Sequence, residues 1–225
     1  MGLFTPYLSD NRNTAMTAVE RLNDEKKLFQ AAMKSKIKDV QKIAVSKISN
    51  QDMLYEIANS DTSLCREDAI AKLNEEHLIR FVKESSWEEL KENAVKSIHN
   101  QEFLLYLVDN SNSSQTRANA ITNLSDDNID VNKMKEIAIT SVADNGYPAP
   151  DATAAVDRIK DESVLLEIAM SKNKISLHAA DCLKTEDALA KFLINTKSQY
   201  AKEYAVNLRN VFKHKAIYNG GVRSR

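Results

Sequence analysis

The chain has 225 residues, 43% of them hydrophobic and 28% charged, and its formal net charge of −1 gives no bulk attraction for nucleic acid or for membrane surfaces. There are 4 Gly and 3 Pro, none between Tyr7 and Asn145, which excludes a sandwich or barrel built on tight turns. Two cysteines, Cys65 and Cys182, are too few and too far apart for a disulfide framework.

The N-terminal Met1-Gly2-Leu3-Phe4-Thr5-Pro6 places Pro6 where a myristoylation signal needs Ser or Thr. No charged-then-apolar leader opens the chain, and no apolar run approaches the ~20 residues that span a bilayer. The most apolar stretch, Phe103 to Val108, has the length of a buried helical segment. The expectation is a cytoplasmic protein without membrane insertion. Leu3, Phe4, Tyr7 and Leu8 make residues 1–13 an apolar segment expected to cap the first structural module.

From Thr14 onward the sequence repeats. The recurring unit is Ala, a small or β-branched residue, and an aliphatic residue four positions after the Ala. It reads Ala18-Val19…Leu22, Ala44-Val45…Ile48, Ala69-Ile70…Leu73, Ala94-Val95…Ile98, Ala120-Ile121…Leu124, Ala155-Val156…Ile159 and Ala179-Ala180…Leu183. Ala205-Val206 is a weaker eighth copy, with Arg209 at the aliphatic position. Successive Ala residues lie 26, 25, 25, 26, 35, 24 and 26 positions apart. Residues four apart share one face of a helix, and a second apolar set follows each anchor, as in Met53, Leu54, Ile57 and Ala58. Polar links rich in Asp, Asn and Ser separate the two sets and suit helix N-caps. Each module is therefore a helix A, a tight turn and a helix B. One such pair cannot bury its apolar face alone, so neighbouring pairs must stack. The fifth module departs from the period, with Ile137-Ala138 arriving late and Asp144 to Pro150 interrupting, so an insertion over about 129–150 should bend the array or project a loop.

The segment Arg66-Glu67-Asp68-Ala69-Ile70-Ala71-Lys72-Leu73, with Arg117 three before Ala120 and Lys91 three before Ala94, resembles the short bacterial HEAT-like repeats and their Arg-x-x-Ala-Val-x-x-Leu rhythm. The period is also near that of leucine-rich variant repeats. The resemblance implies an all-α fold, a right-handed α-α superhelix of about eight helix pairs over 14–212, and a binding habit rather than a particular activity. Residues 213–225 form a basic tail that has lost the periodicity.

No Gly-rich phosphate loop is present. His77, His99, His178 and His214 lack His-x-x-x-His spacing and the cysteines lack Cys-x-x-Cys spacing, so neither a metal nor a cofactor is expected. Cys65 lies at the start of a helix, where its thiol could be activated; a plain small residue is the simpler reading. The carboxylates at the A–B turns recur at one module position, which marks them as caps.

Seven and eight positions after each anchor aliphatic residue, the B helices carry Phe29, Tyr55, Arg80, Phe81, Leu105 and Tyr106. Aromatic and Arg side chains are what binding hot spots favour. Two readings stand: these six residues line a concave groove for a partner, or they widen the core-facing stripe. Charge is uneven along the array, with seven Lys against two acidic residues over 25–49 and eleven acidic against five basic residues over 50–92. The expected function is a non-enzymatic scaffold that binds an unknown protein or peptide on its B face. The alternative is a nucleic-acid-binding protein of the HEAT-fold alkylpurine DNA glycosylase type, which the net charge and the acidic middle modules disfavour.

Overall fold

A computed structural model describes residues 5–143, 147–171 and 173–196, with 203, 206 and 207. All regular structure among these residues is helical: fourteen α-helices and two 3-10 turns, with an isolated backbone bridge between Val142 and Pro148. No helix among the described residues is long and apolar enough to cross a membrane. The chain divides into two compact units, Met1–Asn100 and Gln101–Arg225.

The first unit opens with a 3-10 turn, Pro6–Leu8, followed by α1 (Arg12–Glu20), α2 (Glu25–Lys34), α3 (Lys38–Lys47), α4 (Gln51–Ala58), α5 (Arg66–Ile70), α6 (Glu75–Glu84) and α7 (Glu88–Val95). In this turn Tyr7 is buried, and its hydroxyl donates to Gln30 Oε1 at 2.9 Å. Leu3 and Phe4 lie outside the described residues. Helices start where a short polar side chain precedes them. Asn11, Asp24, Asn50 and Asn74 each accept from the backbone N–H three residues on, satisfying a donor that the helix itself cannot. Odd-numbered helices form one layer, α1 against α3 and α3 against α5. Even-numbered helices form the other, α2 against α4 and α4 against α6. The layers meet on Leu28, Ala44, Ile48, Leu54, Ile57, Ala69 and Phe81, all fully buried. Each large side chain among them contributes about 1.5–3 kcal/mol by leaving water.

The second unit holds α8 (Gln101–Asn110), α9 (Ser114–Asn123), a 3-10 turn Asp126–Asn128, α10 (Val131–Thr140), α11 (Pro150–Arg158), α12 (Glu162–Ala169), α13 (Ser176–Asp181) and α14 (Glu186–Asn195). The layering is the same, α9 against α11 against α13 and α10 against α12 against α14. The late Ile137-Ala138 falls on α10, which the extra 3-10 turn displaces along the sequence. The link into α11 is closed by the Val142–Pro148 bridge and by Ala143 N–H donating to Tyr147 O at 3.0 Å.

Ala44, Ala69, Ala94, Ala120, Ala155 and Ala179 are all buried, with the aliphatic residues that follow them. In the first module the repeat drifts, since Ala15 and Val19 are buried while Ala18 and Leu22 are only half-buried. At the far end Ala205 lies outside the described residues, and Val206 is exposed where its counterparts Val45, Val95 and Val156 are buried.

Three polar ties recur at fixed module positions. The first residue of an even-numbered helix reaches the backbone N–H groups of the next A–B turn. Glu25 Oε1 accepts from Ser49 N and Asn50 N, Gln51 Oε1 from Asn74 N, and Glu75 Oε1 from His99 N and Asn100 N. In the second unit Gln101 Oε1 accepts from Ser125 N, and Glu162 Oε1 from Lys184 N and Thr185 N. A cation three residues after the anchor Ala closes the C-terminus of the preceding odd helix. Lys47 Nζ donates to the carbonyls of Val19, Glu20 and Leu22, Lys72 Nζ to those of Val45, Ser46 and Ile48, and Arg158 Nη2 to that of Leu124. The last carbonyls of a helix have no internal partner and carry partial negative charge, so a cation suits them. Three residues before the anchor, Gln41, Arg66 and Arg117 donate to the serine carbonyl six residues back, Ser35, Ser60 and Ser111. The Arg of the Arg-x-x-Ala rhythm thus ties the incoming loop to the helix.

Candidate functional site

The six B-helix residues divide. Phe29 on α2 and Tyr55 on α4 are half-buried and Arg80 on α6 is exposed. On α8, in the second unit, Leu105 is 36% and Tyr106 54% exposed, and the Tyr106 ring stacks on Phe103 with centroids 5.9 Å apart. Phe81 must be corrected: it is fully buried on α6 and offers no surface to a partner. Its ring meets Tyr55 edge-on at 6.5 Å, because position eight after Leu73 falls on the core side of the helix.

Tyr55 and Arg80 are drawn together. The Arg80 guanidinium lies 4.2 Å from the Tyr55 ring centroid, and both side chains converge on Glu84, the hydroxyl donating at 2.7 Å and Arg80 Nε at 3.1 Å. These donors hold the Glu84 carboxyl below its usual range, while burial and Glu84 push the Tyr55 phenol up. His77 joins the same group, its ring nitrogens 2.8 Å from Asn74 Oδ1 and 3.5 Å from Asp52 Oδ1. Arg80 and Glu84 offset one another's charge, and Asp52 leaves a further carboxylate at the edge of the group.

The odd-helix layer of the first unit carries a feature that the repeat pattern did not single out. An open groove of about 570 Å³ runs over α3, α5 and α7. Arg66 lies 4.1 Å from the centroid of the Trp87 ring, and Leu64 beside them is 54% exposed. Its charged lining is mixed: Lys38 and Lys42 come from α3, Arg66, Glu67 and Asp68 from α5, and Glu88 and Glu89 from α7, with Lys42 3.8 Å from Asp68 and Lys91 2.8 Å from Glu88. Trp87 is the sequence's only Trp, which was a signal available for this surface. Its position before α7 and the basic residue three before Ala69 give no periodic mark that they meet.

Cys65 backs this groove and is not activated. Its thiol is buried, donates to Lys38 O at 3.7 Å, and is pushed up to about 11 by that burial, with Asp68 adding to the effect. The plain reading of this residue therefore stands. His178 Nε2 lies 2.8 Å from Asp157 Oδ1. His214 lies outside the described residues. Comparison with known proteins matched this chain to no family model, no curated protein and no solved structure.

Proposed function

We propose that this chain is a non-enzymatic interaction scaffold of HEAT-like repeats, forming an α-α superhelix of about eight helix pairs, that binds an extended peptide segment of a partner protein. The observation that carries the reading is the groove over α3, α5 and α7, with Trp87 and Leu64 as apolar contacts. A half-buried Trp stacked under Arg is the kind of anchor that contributes ~2 kcal/mol or more when a partner covers it. The lysines of α3 and the glutamates of α7 would orient a peptide carrying an acidic and a basic residue, an effect tempered by the Lys42–Asp68 and Lys91–Glu88 pairs, since complementary charge sets orientation more than raw affinity. The repeated ties support this reading, because backbone groups closed by Glu25, Lys47, Gln51 and Lys72 hold the odd helices in a fixed relation before any partner arrives. The side chains of Tyr55, Arg80 and Glu84 on the even-helix face of the first unit are engaged with one another, whereas the odd-helix face offers a Trp ring beside an exposed Leu. Two free cysteines fit a cytoplasmic protein.

The test is selection of binders from a displayed random-peptide library, followed by titration against Trp87→Ala and Lys38→Glu/Lys42→Glu variants. Binders bearing both charges and weakened at least tenfold by either variant support the reading. Binders indifferent to Trp87, or tight binding of duplex DNA at low salt, overturn it.

A further inference from the structure

We propose a zinc-binding site formed by Asp157, His178 and Cys182 in the second unit. His178 and Cys182 stand four residues apart on α13 and at its C-cap, so their side chains project from one face. Asp157 comes from the last turn of α11, the helix packed against α13. One ligand atom from each residue, an imidazole nitrogen, the thiol sulfur and a carboxylate oxygen, lies within 4.8 Å of the other two.

A tetrahedral Zn²⁺ with bonds of about 2.0–2.3 Å separates its ligand atoms by roughly 3.3–3.8 Å. The His178–Asp157 contact at 2.8 Å is somewhat shorter than that edge, and the outer limit of 4.8 Å is somewhat longer. Rotamer adjustments of about an ångström close the difference, and two packed helices already supply the convergence. The donor set is the discriminating feature. A surface His–Asp ion pair accounts for two of the three groups, and it gives no reason for a thiol at the same point. Sulfur, nitrogen and oxygen together suit zinc and cobalt and are poor ligands for Mg²⁺ or Ca²⁺. His178 and Asp157 are 35% and 55% exposed, which leaves the fourth position to water or an external ligand. The bound ion would clasp α11 to α13. Binding displaces the Cys182 proton to solvent and forms a metal–thiolate bond without any change of oxidation state.

The full chain is titrated with Co²⁺ and followed by thiolate-to-cobalt charge-transfer absorption, then with Zn²⁺ in competition with a chromophoric chelator. The expected result is one ion per chain, displacement of cobalt by zinc, and a higher unfolding temperature in zinc. Cys182→Ser should abolish the charge-transfer band and His178→Ala should weaken binding at least tenfold, while Cys65→Ser leaves both unchanged. Far-ultraviolet circular dichroism shows that each variant is folded. No charge-transfer band in the parent protein, or undiminished zinc binding by Cys182→Ser, overturns the site.

Discussion

Arg117 on α9 donates from Nε to Asp151 Oδ2 on α11 at 2.7 Å, and the receiving carboxylate is wholly shielded from solvent. Ser141 Oγ donates to the same oxygen at 3.0 Å, and Arg117 also holds the carbonyl of Ser111. One guanidinium thus closes a loop and neutralises a buried charge on the neighbouring helix.

Arg117→Met should therefore destabilise the second unit by about 3–5 kcal/mol, the usual result of stranding a buried charge. Asp151→Asn should cost less, because Arg117 is 23% exposed and can turn to water. Urea unfolding measures both. Equal losses would mean that the stranded carboxylate is not the dominant cost.

The cations that close odd helices make a second prediction. Lys72→Met should cost about 1.5–3 kcal/mol, the range for hydrogen bonds made by a charged donor. Lys72→Arg should largely retain stability, because Arg158 already performs this task with a guanidinium at the equivalent position. Thermal unfolding of the two variants separates loss of charge from loss of shape.

Acid should loosen the ties made by glutamates and spare those made by glutamines. Hydrogen bonds from the Ser49 hydroxyl and backbone hold the Glu25 carboxyl below its ordinary 4.5. Burial pushes Glu162 up, but donors from Thr185 and Lys184 outweigh it and the net direction is down. A carboxyl lowered in the folded state contributes stability that is complete above its unfolded value and disappears as pH falls through the folded one. Stability should therefore decline below about pH 4.5 and the decline should be shallower in Glu25→Gln/Glu162→Gln, since Gln51 and Gln101 make the same contact uncharged. Unfolding temperatures across a pH series test this, and an unchanged acid limb in the double variant would refute it.

Trp87 gives a direct optical reading of the groove. A bound peptide should shift its emission to shorter wavelength as the half-buried ring loses water, and Arg66→Ala should move the emission of the free protein to longer wavelength by removing the group stacked on the ring. Emission unchanged while a selected peptide is bound would place that peptide elsewhere.

Much of the helical pattern is legible in the sequence. Alanines at a nearly constant spacing, each four before an aliphatic residue, can be buried together only on one helix face, so the series Ala44 to Ala179 and the polar caps Asp24, Asn50 and Asn74 specify alternating helices and their starts. Phe81 shows where that reasoning stops, because adjacent positions on a B helix point about 100° apart and a one-residue ambiguity decides between core and surface. What tertiary structure alone decided is which side chains from different modules converge. Arg66 meets Trp87, Arg117 meets Asp151 thirty-four residues away, and Asp157 meets His178 and Cys182. A local repeat determines the helices because its signal lies within one turn. These pairings depend on how successive helices are offset as they stack, and that offset is set by packing summed over both layers rather than by any short stretch of sequence.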